Sequence, residues 1–366
     1  MLAAVNSSVE VRAARLRNHR LVGPPFQRAG DALGWLGAVQ AQDYGGARWG
    51  IAQRTRGLTD ADLDRSFAAG AILRTHVMRP TWHFVRPDDI RWLLDLTAPR
   101  VHAANAYYYR KLELDDGVFR RSNEIIAGAL RGGVQLTRTE LARLLEAAGI
   151  PAIGLRLTYL VMRAELDAVI VSGARRGKQF TYALFDERVP DATRPAREEA
   201  LAELTRRYFR SHGPALARDF ANWSGLTQAD VNAGIEMVGA HLAQATIDCK
   251  TYWFEPSAVG GSETASTLHL LPNYDEYLIA YEDYSPVFDR SLFSGTTSLD
   301  TVLAGHILVV DGQVVGGWRR TLERGMATIE VEPLVTLGTG QRNALQDAGE
   351  RYGLFLGMPV AVVVRE

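Results

Sequence analysis

The sequence predicts an α+β fold in which helices followed by a two-stranded hairpin occur three times and a mostly β region ends the chain. The first observation behind this prediction is a helix-start pattern in which a Thr precedes an acid by three positions, the spacing of a capping box. The three occurrences are Leu58-Thr59-Asp60-Ala61-Asp62, Leu136-Thr137-Arg138-Thr139-Glu140 and Leu226-Thr227-Gln228-Ala229-Asp230. We therefore expect three helices that begin in the same way.

The second observation is a pair of β-rich runs after each of these helices. The pairs are AILRTHV with TWHFV, AVIVSG with QFTYALF, and ATIDCK with TYWFE. Met78-Arg79-Pro80 connects the first pair and residues 174–178 connect the second, and both connections have hairpin length. Helices followed by a hairpin describe a winged helix, which places one helix in a DNA groove and the hairpin on the phosphate backbone. Winged helices also serve protein interfaces, so the fold class alone does not determine function.

The third observation is a change of pattern late in the chain. Short alternating runs with Gly and Asp-Gly turns, such as HILVVDGQVVGGWRR, follow residue 260 and indicate strands, with one helix near GTGQRNALQDAGERYG. Pro190 and Pro195 mark a boundary before the third hairpin unit. We expect winged helices over 1–96, 97–190 and 191–260, and a mostly β terminal domain over 261–366.

Composition limits the class of protein. The chain has 366 residues, of which 47% are hydrophobic and 23% charged, as in ordinary globular proteins. A single cysteine, Cys249, excludes a disulfide framework. Neither a signal peptide nor an apolar run long enough to cross a bilayer is recognisable, so we expect a cytoplasmic protein with no membrane partner.

Charge is unevenly distributed along the chain. The net charge of -1 does not indicate a nucleic-acid protein, because phosphate binding depends on Lys and Arg. Residues 131–178, however, hold eight basic and four acidic groups, or +4, and residues 1–30 hold five Arg and one Glu, again +4. Residues 271–290 hold five acids and one Arg, or -4. We expect a basic face, with the cations of the second wing tip at DNA phosphates: Arg175, Arg176 and Lys178.

The stretch VQAQDYGGARWG, residues 39–50, contains two glutamines one residue apart. A winged helix often has a short strand between its first two helices, and here that strand falls on Val39 to Gln42. In an extended chain, residues i and i+2 point to the same side, so Gln40 and Gln42 share one space. In a helix the two side chains diverge by about 200°. Only the extended conformation builds a site from the pair, and Gly45-Gly46 then lead into a helix around ARWGIAQRT.

These features together resemble a known family. VQAQ, LRTHVMRPTWHFV, three tandem winged helices and the later LLPNYDEYLIAY are similar to the AlkZ/YcaQ-type winged-helix DNA glycosylases, which include the azinomycin-resistance glycosylase of antibiotic producers. The resemblance covers nearly the whole chain. It places the family's catalytic Gln-aliphatic-Gln on Gln40, Ala41 and Gln42, with Ala41 a small form of the middle residue.

The resemblance implies a monofunctional DNA glycosylase that acts on double-stranded DNA containing N7- or N3-alkylated purines. It further implies bulky adducts or interstrand crosslinks as substrates, and self-resistance to a DNA-alkylating natural product. We expect no cofactor. Metal chemistry is not indicated, because the eight His and one Cys show none of the usual ligand spacings.

The chemistry of two amides agrees with this function. A carboxamide is too weak a base to deprotonate water, but its carbonyl oxygen and N–H groups can orient a water molecule or fix a sugar or phosphate. Orientation suffices when the leaving group is already activated, as in an alkylated purine that carries a positive charge. We therefore predict that Gln40 and Gln42 position water and confine the enzyme to cationic lesions.

Two further residues are candidates for auxiliary roles. Asp43 could act as a general base or stabilise a developing positive charge, although an Asp before Gly-Gly is more often a turn or cap residue. His83, in Pro80-Thr81-Trp82-His83-Phe84, matches a family signature, although a His on a wing strand is more often structural.

The terminal domain offers candidates for DNA contact and for structure. By resemblance, the hairpin around Asp311-Gly312, followed by Arg319 and Arg320, is a candidate minor-groove probe. For Tyr274, Asp275 and Glu276 we favour a structural or domain-docking role over catalysis, because acids near a phosphate backbone repel it.

The alternative function is a winged-helix transcriptional regulator without catalytic activity. It predicts a basic recognition helix in a symmetric dimer that binds a specific operator. Three unequal winged helices and a β domain in one chain suit wrapping of a single site better than reading of a palindrome. We therefore favour a glycosylase that acts as a monomer.

Overall fold

A computed structural model describes residues 5–190, 193–256, 266–293, 305–323 and 325–365. The chain is mixed α and β, and its described residues divide into two compact units. The first unit comprises described residues within 1–63, 202–223 and 227–366, and the second comprises 64–201 with 224–226. In sequence, the second unit is inserted into the first. The four-domain division stays a prediction, and its boundary between residues 260 and 261 lies outside the described residues.

Helices account for most of the region before residue 240. In chain order they are α1 Ser8–Asn18, α2 Ala29–Leu36, α3 Tyr44–Ala52, α4 Asp60–Ala69, α5 Pro87–Lys111, α6 Asp116–Leu130, α7 Arg138–Ala147, α8 Gly154–Leu166, α9 Phe185–Arg188, α10 Arg197–Ser211, α11 Ala217–Ser224, α12 Gln228–Val238, α13 Glu276–Ile279 and α14 Thr339–Leu356. Among the described helices, none is both long and apolar enough to cross a membrane.

Strands occur as short hairpins in the first two thirds of the chain and as one larger sheet near its end. They are β1 Val39–Gln40, β2 Leu73–Val77, β3 Arg79–Val85, β4 Leu136–Thr137, β5 Ile170–Ser172, β6 Thr181–Leu184, β7 Ala243–Ile247, β8 Lys250–Phe254, β9 Leu268–Leu271, β10 His306–Val310, β11 Gln313–Glu323, β12 Met326–Pro333 and β13 Val360–Val364.

The three predicted capping boxes are confirmed. At the start of α4, the Thr59 N–H donates to Asp62 Oδ2 at 2.9 Å and the Asp62 N–H donates to Thr59 Oγ1 at 3.2 Å. The same reciprocal pair begins α7 and α12. Each cap satisfies two N–H groups that the helix itself cannot, and loss of such a cap typically costs about 1 kcal/mol.

Each of these helices is followed by a hairpin, as the sequence predicts. β2 pairs with β3, β5 with β6 and β7 with β8, all antiparallel. Met78, with φ of 64°, turns the chain between β2 and β3. Asp248 and Cys249, with φ of 49° and 59°, form the two-residue connection of β7 and β8. Two successive positive φ angles match the twist of the flanking strands, which keeps the β7–β8 hairpin tight.

The second unit has its own hydrophobic core. Helices α6, α7 and α8 pack around the three-stranded sheet of order β4-β6-β5. Ile126, Leu130, Leu141, Leu145 and Leu160 are fully buried in this core. Each such side chain contributes on the order of 1.5–3 kcal/mol, so the unit has its own source of stability.

The first unit contains a five-stranded sheet of order β13-β12-β11-β10-β9. Its strands are antiparallel except for β12 and β13, which are parallel and connected through α14. The predicted Asp311-Gly312 turn joins β10 to β11, with φ of 49° and 78°. The predicted strands and the single long helix of this region are therefore present.

A buried ion pair ties α3 to this β-rich region within the first unit. Arg54 and Asp275 are each 2% exposed, and the guanidinium donates from Nη1 to Oδ2 at 2.9 Å and from Nη2 to Oδ1 at 2.7 Å. Arg54 Nε also donates to the His19 carbonyl at 2.9 Å and Nη1 to the Gly50 carbonyl at 2.7 Å. Buried charges persist only when they are paired and hydrogen-bonded in this way.

Replacing Arg54 by Met should therefore lower the free energy of unfolding by about 3–5 kcal/mol, because the Asp275 carboxylate loses its partner in a buried site. Arg28→Met is the matched control: Arg28 is 80% exposed in its pair with Asp31, and such pairs contribute about 0–1 kcal/mol. Urea denaturation of the three proteins measures the difference. Equal midpoints for both variants would contradict the buried pair's importance.

Candidate active site

Gln40 is held in a short strand and buried. Gln40 forms β1 with Val39 and is 6% exposed. Its backbone N–H donates to Glu276 Oε1 at 2.8 Å. The expected strand is thus present, but it is shorter than predicted. It ends at Gln40, the chain bends at Gln42 and Asp43, and Gln42 is exposed. Neither glutamine lies in a helix, but only Gln40 belongs to the strand, so the expectation that the two side chains share one space stays a prediction.

Glu276 is the acid that supports this strand. It is 1% exposed, and its Oε2 accepts from Trp223 Nε1 at 2.8 Å while Oε1 accepts from Gln40. His212 Nε2 lies 3.6 Å from Oε2, and burial lowers the pKa of His212. Asp275 is thus paired with Arg54, and Glu276 with Gln40 and Trp223. These partners agree with the structural role expected for the two acids.

Asp43 caps the helix that follows the glutamines. Its Oδ1 accepts from the N–H groups of Gly45 and Gly46, both at 3.1 Å. A β-carbon on Gly46 would lie 2.9 Å from Asp43 Oδ2 and 3.1 Å from Asn273 Oδ1. The glycines thus allow the carboxylate to fold back onto the first turn of α3. The cap role weighed for Asp43 is observed, and its role in catalysis stays a prediction.

Arg320 reaches the same turn from β11. Its Nη2 lies 3.2 Å from the position that a β-carbon on Gly45 would occupy, and its Nη1 donates to the Tyr352 hydroxyl. Arg320 forms no ion pair with a carboxylate among the described residues. A guanidinium without an acid partner, beside the segment that carries the glutamines, is suited to bind an anion.

His306 completes the polar surroundings of the turn. Its Nδ1 accepts from the Asn273 N–H at 2.9 Å, and its ring stacks on Trp318 at 4.6 Å between centroids. Burial and the positive charge of Arg320 lower the pKa of His306 to about 4. The ring is therefore neutral near pH 7, and because Nδ1 accepts, Nε2 carries the hydrogen.

Arg319 differs from its neighbour. It points to the opposite face of β11, where Nε donates to Glu330 Oε2 at 2.9 Å and Nη2 donates to Glu332. The cross-strand acids neutralise this cation, so Arg320 is the better placed of the two predicted DNA-binding residues.

The Asp311-Gly312 turn packs against neighbouring elements through Gly312, which is buried, whereas Asp311 is exposed. The Gly312 carbonyl accepts from the Tyr277 hydroxyl at 2.7 Å, and a β-carbon there would lie 3.1 Å from the β-carbon of Arg12 in α1. These contacts hold the turn within the first unit, and the role of this hairpin as a minor-groove probe stays a prediction. The other end of β11, where it pairs with β12, instead exposes Leu322 and Met326 by 51% and 47%.

The remaining predicted residues lie in the second unit. His83 is fully buried on β3, and its Nδ1 lies 3.0 Å from the Thr81 carbonyl, as a structural histidine would. In the connection between β5 and β6, the predicted second wing tip, Arg176 donates to Glu140 at 2.8 Å and Arg175 lies 3.6 Å from Asp64. Lys178 is exposed. Acids thus engage two of the three wing cations, which sequence position alone did not reveal.

Some residues at the glutamine segment carry no recognisable sequence signal. Asn273, His306 and Tyr352 come from a loop, a strand and a helix far apart in the chain. Only the LLPNYDE stretch could have pointed to Asn273, because it adjoins the two acids already noted. Within the described residues, no group of three or more His, Cys, Asp or Glu could hold a metal ion.

Comparison with known proteins assigns the family. A family model described as "DNA glycosylase AlkZ-like" matches residues 33–355. The chain belongs to this family of DNA glycosylases and is an enzyme that hydrolyses N-glycosyl bonds. The resemblance stated from the motifs is confirmed, and the alternative of a regulator without catalytic activity is wrong.

A curated protein and a solved structure are similar to this chain. A protein of Streptomyces sahachiroi named "Interstrand DNA cross-link repair glycosylase" is 23% identical over 322 residues, 84% of this chain and 86% of the relative. The solved structure of "Streptomyces sahachiroi DNA glycosylase AlkZ" matches with a TM-score of 0.79 at 22% identity, over 98% of this chain and 100% of that one. The structural likeness shows that the two chains share a fold.

Replacing Gly46 by Ala should disturb the glutamine segment, because the new β-carbon meets the Asp43 carboxylate and Asn273. We expect a loss of about 1–2 kcal/mol in stability, the value of a helix cap, and slower base excision. Gly128→Ala in α6 is the control: nothing lies within 4 Å of its β-carbon position, so the change should be neutral or stabilising by up to about 1 kcal/mol. Thermal unfolding and an excision assay compare the two, and a stabilised, fully active Gly46→Ala protein would refute this account of the turn.

Proposed function

We propose that this glycosylase hydrolyses the N-glycosidic bond of cationic N7- or N3-alkylated purines in duplex DNA, with Gln40 and Gln42 positioning the attacking water. The observation that carries the proposal is the position of Gln40. This residue is buried, and its backbone N–H is bound by Glu276. It lies just before the turn that Arg320 approaches. Asp43, the carboxylate next in sequence, accepts two N–H groups of α3. Beside the turn, this leaves the neutral amides for water positioning and the cation of Arg320 for an anion.

The charge state of the site supports a restricted substrate class. An amide does not ionise, and His306 is neutral near pH 7 because its pKa is about 4. A site without a strong general acid cannot assist a poor leaving group. A purine alkylated at N7 or N3 already carries positive charge, so its bond to the sugar breaks without protonation of the base.

We further propose that the three helix–hairpin segments are winged helices that contact duplex DNA. The exposed Lys178 of the second wing and Arg320 on β11 are the cations most suited to phosphates. Because the terminal region of this family's enzymes is expected to place a hairpin near the lesion, the β11–β12 hairpin, with exposed Leu322 and Met326, is the candidate for groove insertion.

Bulky adducts and interstrand crosslinks belong to the same proposal. The relative from Streptomyces sahachiroi is named for interstrand cross-link repair and aligns with most of this chain. A crosslinked base remains tethered to the opposite strand, so its excision requires a site that acts without a deep enclosing pocket. Gln42 is exposed, which suits such a site. From the family resemblance of the sequence motifs, we also propose a role in self-resistance to a DNA-alkylating natural product.

The glutamines provide the main test. Gln40→Ala and Gln42→Ala should each slow single-turnover release of N7-methylguanine by roughly 10- to 100-fold while DNA affinity stays nearly constant. If both glutamines act on one water, the double variant should lose less than the product of the single losses. The exposed Gln27 supplies the control, and Gln27→Ala should excise at the normal rate.

The same assay across pH separates water positioning from acid–base catalysis. Neutral amides predict a rate that is almost flat across the whole pH range in which Asp and His side chains titrate, whereas a bell-shaped profile would assign the chemistry to an acid–base residue such as Asp43 or His83. Full activity in both single variants would place the catalytic site elsewhere.

Arg320 and Arg319 allow a matched test of DNA contact. Arg320→Ala should weaken binding and reduce the slope of log K against log salt by about 1, because one phosphate contact releases its counterion. Arg319→Ala should change the slope much less, since Glu330 and Glu332 already neutralise that cation. Binding isotherms at several salt concentrations give both slopes. Equal slopes for the two variants would remove Arg320 from the proposed DNA surface.

A further inference from the structure

The carboxylate of Glu276 meets two N–H donors from distant parts of the first unit. Oε1 accepts from the backbone of Gln40 and Oε2 from the indole of Trp223, both at 2.8 Å. Glu276 is 1% exposed and Trp223 is fully buried. Both bonds form away from water, where a carboxylate with engaged oxygens is rigid and an unmatched donor is costly.

Trp223 also contacts the approach to the strand. Gly37, with φ of 85°, ends α2 two residues before β1, and a β-carbon there would lie 3.2 Å from Trp223 Cη2. The indole therefore packs on the chain just before Gln40 and donates to the acid that holds Gln40. Glu276 and Trp223 together therefore hold β1: Glu276 binds the Gln40 backbone, and Trp223 packs on Gly37 just before the strand.

We propose that Glu276 is a positioning residue for Gln40: it fixes β1 so that the Gln40 amide is correctly placed for water. The inference rests on the proposed catalytic role of Gln40. Errors of about 1 Å in the placement of such a group can cost on the order of 100-fold in rate. A residue without contact to substrate can therefore control the chemical step through its hold on the strand.

The geometry requires a carboxylate and not merely a polar group. Each of the two N–H donors needs an acceptor, and a carboxylate supplies an oxygen to both. A glutamine side chain has one oxygen and one NH₂ group. At this position its NH₂ group would face the N–H of either Gln40 or Trp223, and two donors cannot form a hydrogen bond with each other. Glu276→Gln thus preserves the side-chain shape but disrupts one of the two bonds.

The first experiment measures single-turnover excision of N7-methylguanine from duplex DNA, and DNA affinity, for Glu276→Gln. We expect the rate to fall roughly 10- to 100-fold and the Kd for DNA to stay within about twofold. Asp219→Asn is the matched control, because Asp219 is a fully buried acid that accepts backbone N–H groups of Leu216, Glu282 and Asp283. The control should keep its rate per folded molecule even if its stability falls.

The second experiment is a rescue that a purely structural role does not predict. Adding Trp223→Phe to Glu276→Gln removes the indole N–H, so the amide oxygen can turn to Gln40. Its NH₂ then faces the phenyl ring and the ring of His212, whose Nε2 lies 3.6 Å from Glu276 Oε2 in the unmodified protein. The rate should recover at least severalfold over that of Glu276→Gln alone, although the smaller ring lowers the denaturation midpoint further. A rate that falls in parallel with stability would overturn the positioning role.

Gln40→Ala separates this proposal from the proposed function. If Gln40→Ala is inactive and Glu276→Gln matches the unmodified enzyme per folded molecule, the positioning role is refuted and the catalytic role of Gln40 stands. If Gln40→Ala is fully active, the proposed function of the glutamines fails first. If Gln40→Ala and Glu276→Gln are both slow, and their combination is no slower than Gln40→Ala, the two residues act as one unit, as we expect.

Discussion

The first unit depends on two consecutive buried acids, Asp275 and Glu276, at the start of α13. Asp275 binds Arg54 just after α3, and Glu276 binds Gln40 in β1, so adjacent residues hold both ends of the segment that carries the glutamines. Burying two carboxylates is expensive unless each finds strong donors. Here the guanidinium, an indole and a backbone N–H supply them. Between these two contacts, Asp43 caps α3, and Gly45 and Gly46 leave room for the side chains of Arg320 and Asn273. The conformation of this segment is therefore constrained at both ends.

The acids near the glutamines share one characteristic: each has an architectural partner. Asp43 accepts from α3, Asp275 from Arg54 and Glu276 from Gln40 and Trp223. These bonds fix the positions of the three carboxylates and link them to neighbouring elements of the first unit. The arrangement is consistent with the proposed role of the neutral amides. Such a role suits a leaving group that already carries a positive charge. Arg320 provides the contrasting charge, on the face of β11 opposite the neutralised Arg319.

Features set by local chemistry could be predicted from the sequence. The three capping boxes, the hairpins and the Asp311-Gly312 turn follow from residues within a few positions of each other, and all are present. The extended conformation of Gln40 was predictable for the same reason, but the strand ends before Gln42, where the cap of α3 bends the chain. Contacts across 221 residues (Arg54 with Asp275) or 236 residues (Gln40 with Glu276) have no such local signal. The approach of Arg320 to Gly45 and the packing of Gly312 on α1 likewise depend on tertiary structure, which periodicity does not encode.

The division of the first unit between both ends of the chain has a consequence during synthesis. Gln40 emerges from the ribosome early, but its partner Glu276 is 236 residues further on. At about 5–20 residues per second, roughly 12 to 50 s pass before that carboxylate is made. The inserted unit, with its own core, can fold in the interval, whereas β1 lacks its anchor throughout. A nascent or truncated chain thus contains Gln40 without the Glu276 contact that holds β1, and completion of the polypeptide itself delays the appearance of base-excision activity.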